Sequence, residues 1–151
     1  MKATDLLKTQ HKEVKALFKK VDGTENAPQR RQLLDEISQS LEGHTLIEEE
    51  IFYPAVRGLQ TPKAEEMVLE AYEEHHVVKL VLAELPLVDP EDERFEAKMT
   101  VLSELVEHHA GEEEKEMFKT AQRLGKVELE SLGRRMEERF EAFRRRASEA
   151  A

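Results

Sequence analysis

Apolar residues recur every three to four positions along five stretches of the chain, and each stretch closes in a cluster of Gly, Pro, Asp or Thr. Leu6, Leu7, Val14, Leu17, Phe18 and Val21 mark a first helix from about Thr4 to Val21, stopped by "DGTENAP". Pro28 suits the first turn of a second helix, which carries Leu33, Leu34, Ile37, Leu41, His44, Ile47 and Ile51 and is predicted to end or kink near Pro54. Thr61 as N-cap and Pro62 behind it open a third helix that continues to about Leu85. After the break "LPLVDPEDE", Asp89-Pro90 is predicted to open a fourth helix through about Leu124, with Gly125 as its C-cap. From Lys126, the stripe Val127, Leu129, Leu132, Met136, Phe140 and Phe143 predicts a fifth helix, packed against the other four or projecting from them.

No segment alternates in the manner of a strand, and the short connections imply antiparallel neighbours. The expected fold class is all-α: an up-down-up-down antiparallel four-helix bundle with an additional C-terminal helix. Residues 1–124 form the bundle in this reading, and 125–151 a helical extension of the same domain. A partner or homodimer contact, where there is one, is expected on that extension.

The 151 residues are 39% hydrophobic, enough for one core, and 37% charged, with few Gly or Pro and no Trp. The net charge of −10 argues against a nucleic-acid partner, which needs a basic face. Arg144-Arg145-Arg146 reads as a solvated helix end. The absence of cysteine excludes disulfides, thiolate metal sites and a cysteine nucleophile. "MKATDLLKTQH" lacks the apolar core of a signal peptide, and no run approaches the ~18 apolar residues that span a bilayer. The expectation is a cytoplasmic protein without a membrane partner. No Gly-x-Ser-x-Gly turn, Gly-rich phosphate loop or His-Glu-x-x-His motif is present.

The six histidines fall in four places, one on each of the first four helices: His11, His44, His75-His76 and His108-His109. Neighbours at three, four and seven positions select between the paired ones. His109 has Val106, Leu105 and Leu102 behind it, whereas His108 lies in a row with Glu104, Glu112 and Lys115. His75 has Tyr72, Val68, Val78 and Leu82 around it, and His76 has Glu73 and Lys79, so His75 is the inward candidate.

Glu48 and Glu113 each stand four residues after an inward histidine, His44 and His109, and so share its face. A carboxylate on a buried stripe is costly unless its charge is compensated, and a bound cation supplies one reason for both. The two halves also repeat: "QHKEVKALF" from Gln10 aligns with "EHHVVKLVL" from Glu74, and "HTLIEEEIF" with "HAGEEEKEMF". Two helical hairpins related by a pseudo-twofold axis then supply four histidines and two carboxylates, donors that suit iron, manganese or zinc. Of the three adjacent glutamates, Glu49 and Glu50 are assigned to solvent or to positions behind the ligands.

At these residues the chain resembles the hemerythrin-like family, the HHE cation-binding domain. The pattern is a His on the first helix, His-x-x-x-Glu on the second, His on the third and His-x-x-x-Glu on the fourth: His11, His44 with Glu48, His75, and His109 with Glu113. The resemblance covers roughly residues 4–124. It implies a non-haem di-iron centre, two iron ions as Fe2+ or Fe3+, oxo- or hydroxo-bridged, with Glu48 and Glu113 as bridging carboxylates; zinc and manganese accept the same ligands. One departure is Ala71, which stands where oxygen-carrying hemerythrins add a further histidine, and it sets reversible O2 transport in doubt. The expected function is binding of, or reaction with, O2, peroxide or nitric oxide; the alternatives are a non-catalytic iron- or oxygen-sensing or iron-storage module, and a bundle whose histidines are incidental. Tyr72 and Tyr53 read as core aromatics with hydroxyls at polar sites, the other reading being approach to the metals.

Overall fold

A computed structural model describes residues 1–150. Helix α1 (Ala3–Asp22) is followed by α2 (Ala27–Ile47), a π turn (Glu48–Phe52) and α3 (Tyr53–Arg57). After α4 (Pro62–Glu84) and a 3-10 turn (Leu85–Leu87) come α5 (Glu93–Glu112), a second π turn (Glu113–Met117), α6 (Phe118–Ala121) and a 3-10 turn (Gln122–Leu124). Helix α7 (Lys126–Ala150) completes the fold, an all-α bundle with an extra C-terminal helix and no strand among the described residues. No helix among the described residues is long and apolar enough to cross a membrane.

Local chemistry sets most boundaries. Asn26 accepts the Gln29 amide at 2.9 Å and Thr61 the Ala64 amide at 3.1 Å, each satisfying one of the free N–H groups at a helix start. Gly125 ends the fourth rod with φ 89°, a conformation that costs a side chain with a Cβ but not glycine. Two boundaries differ from the sequence expectation. The fourth helix starts at Glu93, because Asp92 caps the Arg94 amide at 2.9 Å while Asp89-Pro90 belongs to a preceding turn. Near Pro54, where an end or a kink was expected, the helix does not end: its regular α form gives way to the π turn, and the backbone stays right-handed helical to Arg57, with proline in the first turn of α3.

The two π turns occupy matching places in the two hairpins. In each, the residue after the turn donates its amide to the carbonyl five back, Tyr53 to Glu48 and Phe118 to Glu113. One extra residue per turn re-aims everything downstream by about 100° relative to an α-helix.

Two apolar clusters fill the bundle, one around Leu7, Ile47, Phe52, Val68 and Met117, the other around Phe18, Leu34, Ile37, Leu82 and Phe95. Between them lies a layer of buried polar residues. Helix α7 packs on α1 and α2 over Leu129, Leu132 and Met136, and Arg139 pairs with Glu50 at 2.8 Å. Its Gly133 lies so close to the N-terminal backbone that any Cβ would collide with the Met1 carbonyl. The far end of α7, with Arg144, Arg145 and Arg146, is exposed.

Candidate metal centre

His11, His44, Glu48, His75, His109 and Glu113, the six residues singled out by their spacing, are all buried in this polar layer, with Gln10 and Thr45 beside them. The choices within each histidine pair agree with the structure: His75 and His109 point inward, while His76 and His108 are exposed.

Each imidazole is held from behind at Nδ1. His11 meets Glu114 at 2.9 Å, His44 meets the Gln10 amide oxygen at 2.7 Å, His75 meets Glu49 at 2.8 Å and His109 meets Glu74 at 2.6 Å. All four partners present acceptor oxygens, so Nδ1 carries the hydrogen and Nε2 faces the interior with its lone pair. There Nε2 meets carboxylate oxygen. His44 and His75 lie 3.1 and 3.0 Å from Glu48 Oε1; His11 and His109 lie 3.1 and 3.3 Å from the two oxygens of Glu113. Lone pair against lone pair is repulsive, so these contacts require positive charge between them, either a proton or a metal ion. Glu48 is fully buried and neither of its oxygens has a hydrogen-bond partner: the nearby nitrogens are close but not aligned to donate. An uncompensated carboxylate there is costly, and a bound cation removes the cost.

The ligand atoms fall into two overlapping groups, each within the span of one ion. His11, His44, Glu48 and Glu113 form one group; Glu48, His75, His109 and Glu113 form the other. Both glutamates are common to both groups, and bridging carboxylates are the economical way to serve two ions.

The charges explain the proton affinities of the metal-free site. Burial depresses His11, His75 and His109, but the facing carboxylates outweigh it and hold all three above the ordinary imidazole range. Burial alone would raise Glu113; His109 and the hydrogen bonds around it hold its carboxyl well below the usual range. Glu49 is lowered to about 2, chiefly by its hydrogen bond to His75 and then by Lys79.

Tyr53 is a fully buried core aromatic with its hydroxyl at a polar site, and that site is the centre itself. Its hydroxyl donates to Glu113 Oε2 at 2.6 Å and stands 3.0 Å from Nε2 of both His75 and His109. Burial, then the charges of Glu48 and Glu113, push the phenol well above its usual range, so it remains a donor. Tyr72 stays outside: its hydroxyl reaches the Glu49 main-chain oxygen at 3.3 Å, and its ring meets Tyr53 edge to face. The counterpart of Tyr53 in the other hairpin is Phe118, stacked on His11 with ring centroids 6.0 Å apart.

The profile of the Hemerythrin HHE cation binding domain matches residues 2–121 of this sequence. The chain belongs to that family. Uncharacterised proteins of Mycobacterium tuberculosis and Mycobacterium bovis are 32% identical over 147 residues, covering 95% of this chain and 88% of theirs. A DNA nickase of Nostoc is 25% identical over 118 residues, 78% of this chain but 33% of the nickase. Among solved structures, a hemerythrin HHE cation-binding domain-containing protein from Mycobacterium kansasii superposes with a TM-score of 0.86 at 29% identity, over 97% of this chain and 90% of that one.

Within this hemerythrin-like chain, sequence reasoning missed the supports Gln10, Glu74 and Glu114. A signal was present. Gln10 and Glu74 stand immediately before the first- and third-helix histidines, and Glu49 and Glu114 immediately after the two inward glutamates, so both pairs recur with the repeat. Ala71 is buried and places no further imidazole at the centre, leaving two histidines on each side.

Proposed function

We propose that the centre binds two iron ions and that the protein binds, or reacts with, O2, peroxide or nitric oxide there. His11 and His44 would hold one ion and His75 and His109 the other, with Glu48 and Glu113 bridging. Two adjacent irons supply open coordination positions and a two-electron couple. The chain's own residues do the rest. The four Nδ1 hydrogen bonds fix each imidazole's orientation and tautomer. Tyr53 keeps a proton beside Glu113. Above the four histidines, Val14, Leu41, Val78 and Val106 wall an apolar cavity of about 20 Å³, room for one water-sized molecule and suited to an uncharged diatomic ligand.

The single observation that carries this reading is the fully buried Glu48, unpartnered on both oxygens and facing the Nε2 atoms of His44 and His75. The experiment is an optical spectrum of the iron-loaded protein, with metal quantitation, before and after O2, peroxide or nitric oxide. Two irons per chain with charge-transfer bands that respond to one of these ligands are expected. Iron content below about one per chain after reconstitution, or bands indifferent to all three ligands, would contradict it.

A further inference from the structure

A second cavity reaches the centre, and its chemistry is opposite to that of the apolar one. It lies between α4 and the α5 rod, measures about 60 Å³, and ends on His109 and Glu113. Its walls carry Glu70, Glu74, Glu112 and Glu116, graded from exposed at the surface, through half-buried Glu74, to buried Glu113. Among the described residues none of these glutamates pairs with a lysine or arginine. Among the described residues the side-chain partners of Glu74 and Glu112 are imidazoles: Glu74 holds His109 at 2.6 Å, and exposed His108 lies 3.4 Å from Glu74 and 3.3 Å from Glu112. Ligand atoms of Glu74, His108 and Glu112 lie close enough together to hold one ion. Ala71 lines the passage, and its methyl group leaves open a space that a larger side chain would fill.

We propose that this acidic passage is the entry route for divalent cations to the centre. The inference rests on the metal centre proposed above. An uncharged ligand gains nothing from a row of carboxylates without lysine or arginine partners, whereas a cation is concentrated by them. The apolar cavity on the other side of the histidines offers a hydrated ion no compensation for lost water. At the inner end stand His109 and Glu113, two members of the buried ligand group that also contains Glu48 and His75. Metal and small ligand would therefore reach the same centre by different doors.

The test is the kinetics of Co2+ uptake by metal-free protein, followed by the absorption of the bound ion. The triple variant E70Q/E112Q/E116Q neutralises exposed carboxylates that touch no centre histidine. It should load to the same final stoichiometry as wild type but about tenfold more slowly or worse. The control E25Q/E36Q/E91Q, equal in charge change and remote from the passage, should load at the wild-type rate. Wild-type uptake should also slow as ionic strength rises. A triple variant that loads as fast as wild type, or a wild-type rate indifferent to salt, overturns the passage while leaving the centre standing. A wild-type protein that takes up no Co2+ overturns the centre and the passage with it.

Discussion

At the scale of single residues, a proton and a metal ion compete for the same inward nitrogens. In the metal-free protein His11, His75 and His109 titrate above the ordinary 6.5, so their contribution is complete below 6.5 and is lost as pH rises through the raised values. Glu49 acts in the other direction. Its folded-state value of about 2 against 4.5 gives stability that is present above 4.5 and lost as pH falls towards 2. The metal-free protein should therefore be most stable between these limits and melt progressively earlier as pH rises above 6.5. Metal binding, which displaces the imidazole protons, should abolish that alkaline decline and release protons into a weakly buffered solution. Thermal melts across pH with and without metal check this, and identical profiles would contradict it. The inward histidines were legible in the sequence because apolar neighbours at helical spacing single out one of each pair. Tyr53 was not. Five residues beyond Glu48 in a regular helix it would face about 140° away, and only the π turn brings its hydroxyl back to Glu113.

At the scale of elements, periodicity and punctuation gave the five rods, but not the irregularities inside them. A π turn leaves no periodic trace over five residues, and Pro54 reads as a stop unless the unwound turn ahead of it is known. The start of the fourth helix was ambiguous because both Asp89 and Asp92 cap a nearby amide, and only Asp92 is followed by continuous helix. Whether the fifth helix packs or projects was also open; the structure answers that it packs from Leu129 to Phe143, with Gly133 permitting contact with the N-terminal backbone and Phe140 and Phe143 lying against Gly43. Gly133→Val should force the two apart and cost about 1–3 kcal/mol, read as a lower urea midpoint. An unchanged midpoint would mean that α7 does not dock this way.

At the scale of the molecule, the chain is two hairpins that each bring a histidine, a His-x-x-x-Glu unit and their supports, meeting between two apolar clusters. The repeat was visible in the sequence and is nearly exact in the site: Glu48 and Glu49 serve His75 as Glu113 and Glu114 serve His11. The two sides still differ in two places. Glu74 stands where the other half has Gln10, and Tyr53 where the other half has Phe118, so one side has an additional carboxylate and a phenol. The most direct measurement is X-ray diffraction at the iron absorption edge from crystals of the iron-loaded protein, alongside the Glu48→Ala variant. Two anomalous peaks are predicted, one among His11, His44 and the two glutamates, the other among His75, His109 and the same two glutamates. Because Glu48 is common to both groups, the variant should lose occupancy at both. Iron found elsewhere, or full occupancy at both positions without Glu48, would contradict a two-ion centre bridged by this pair of carboxylates.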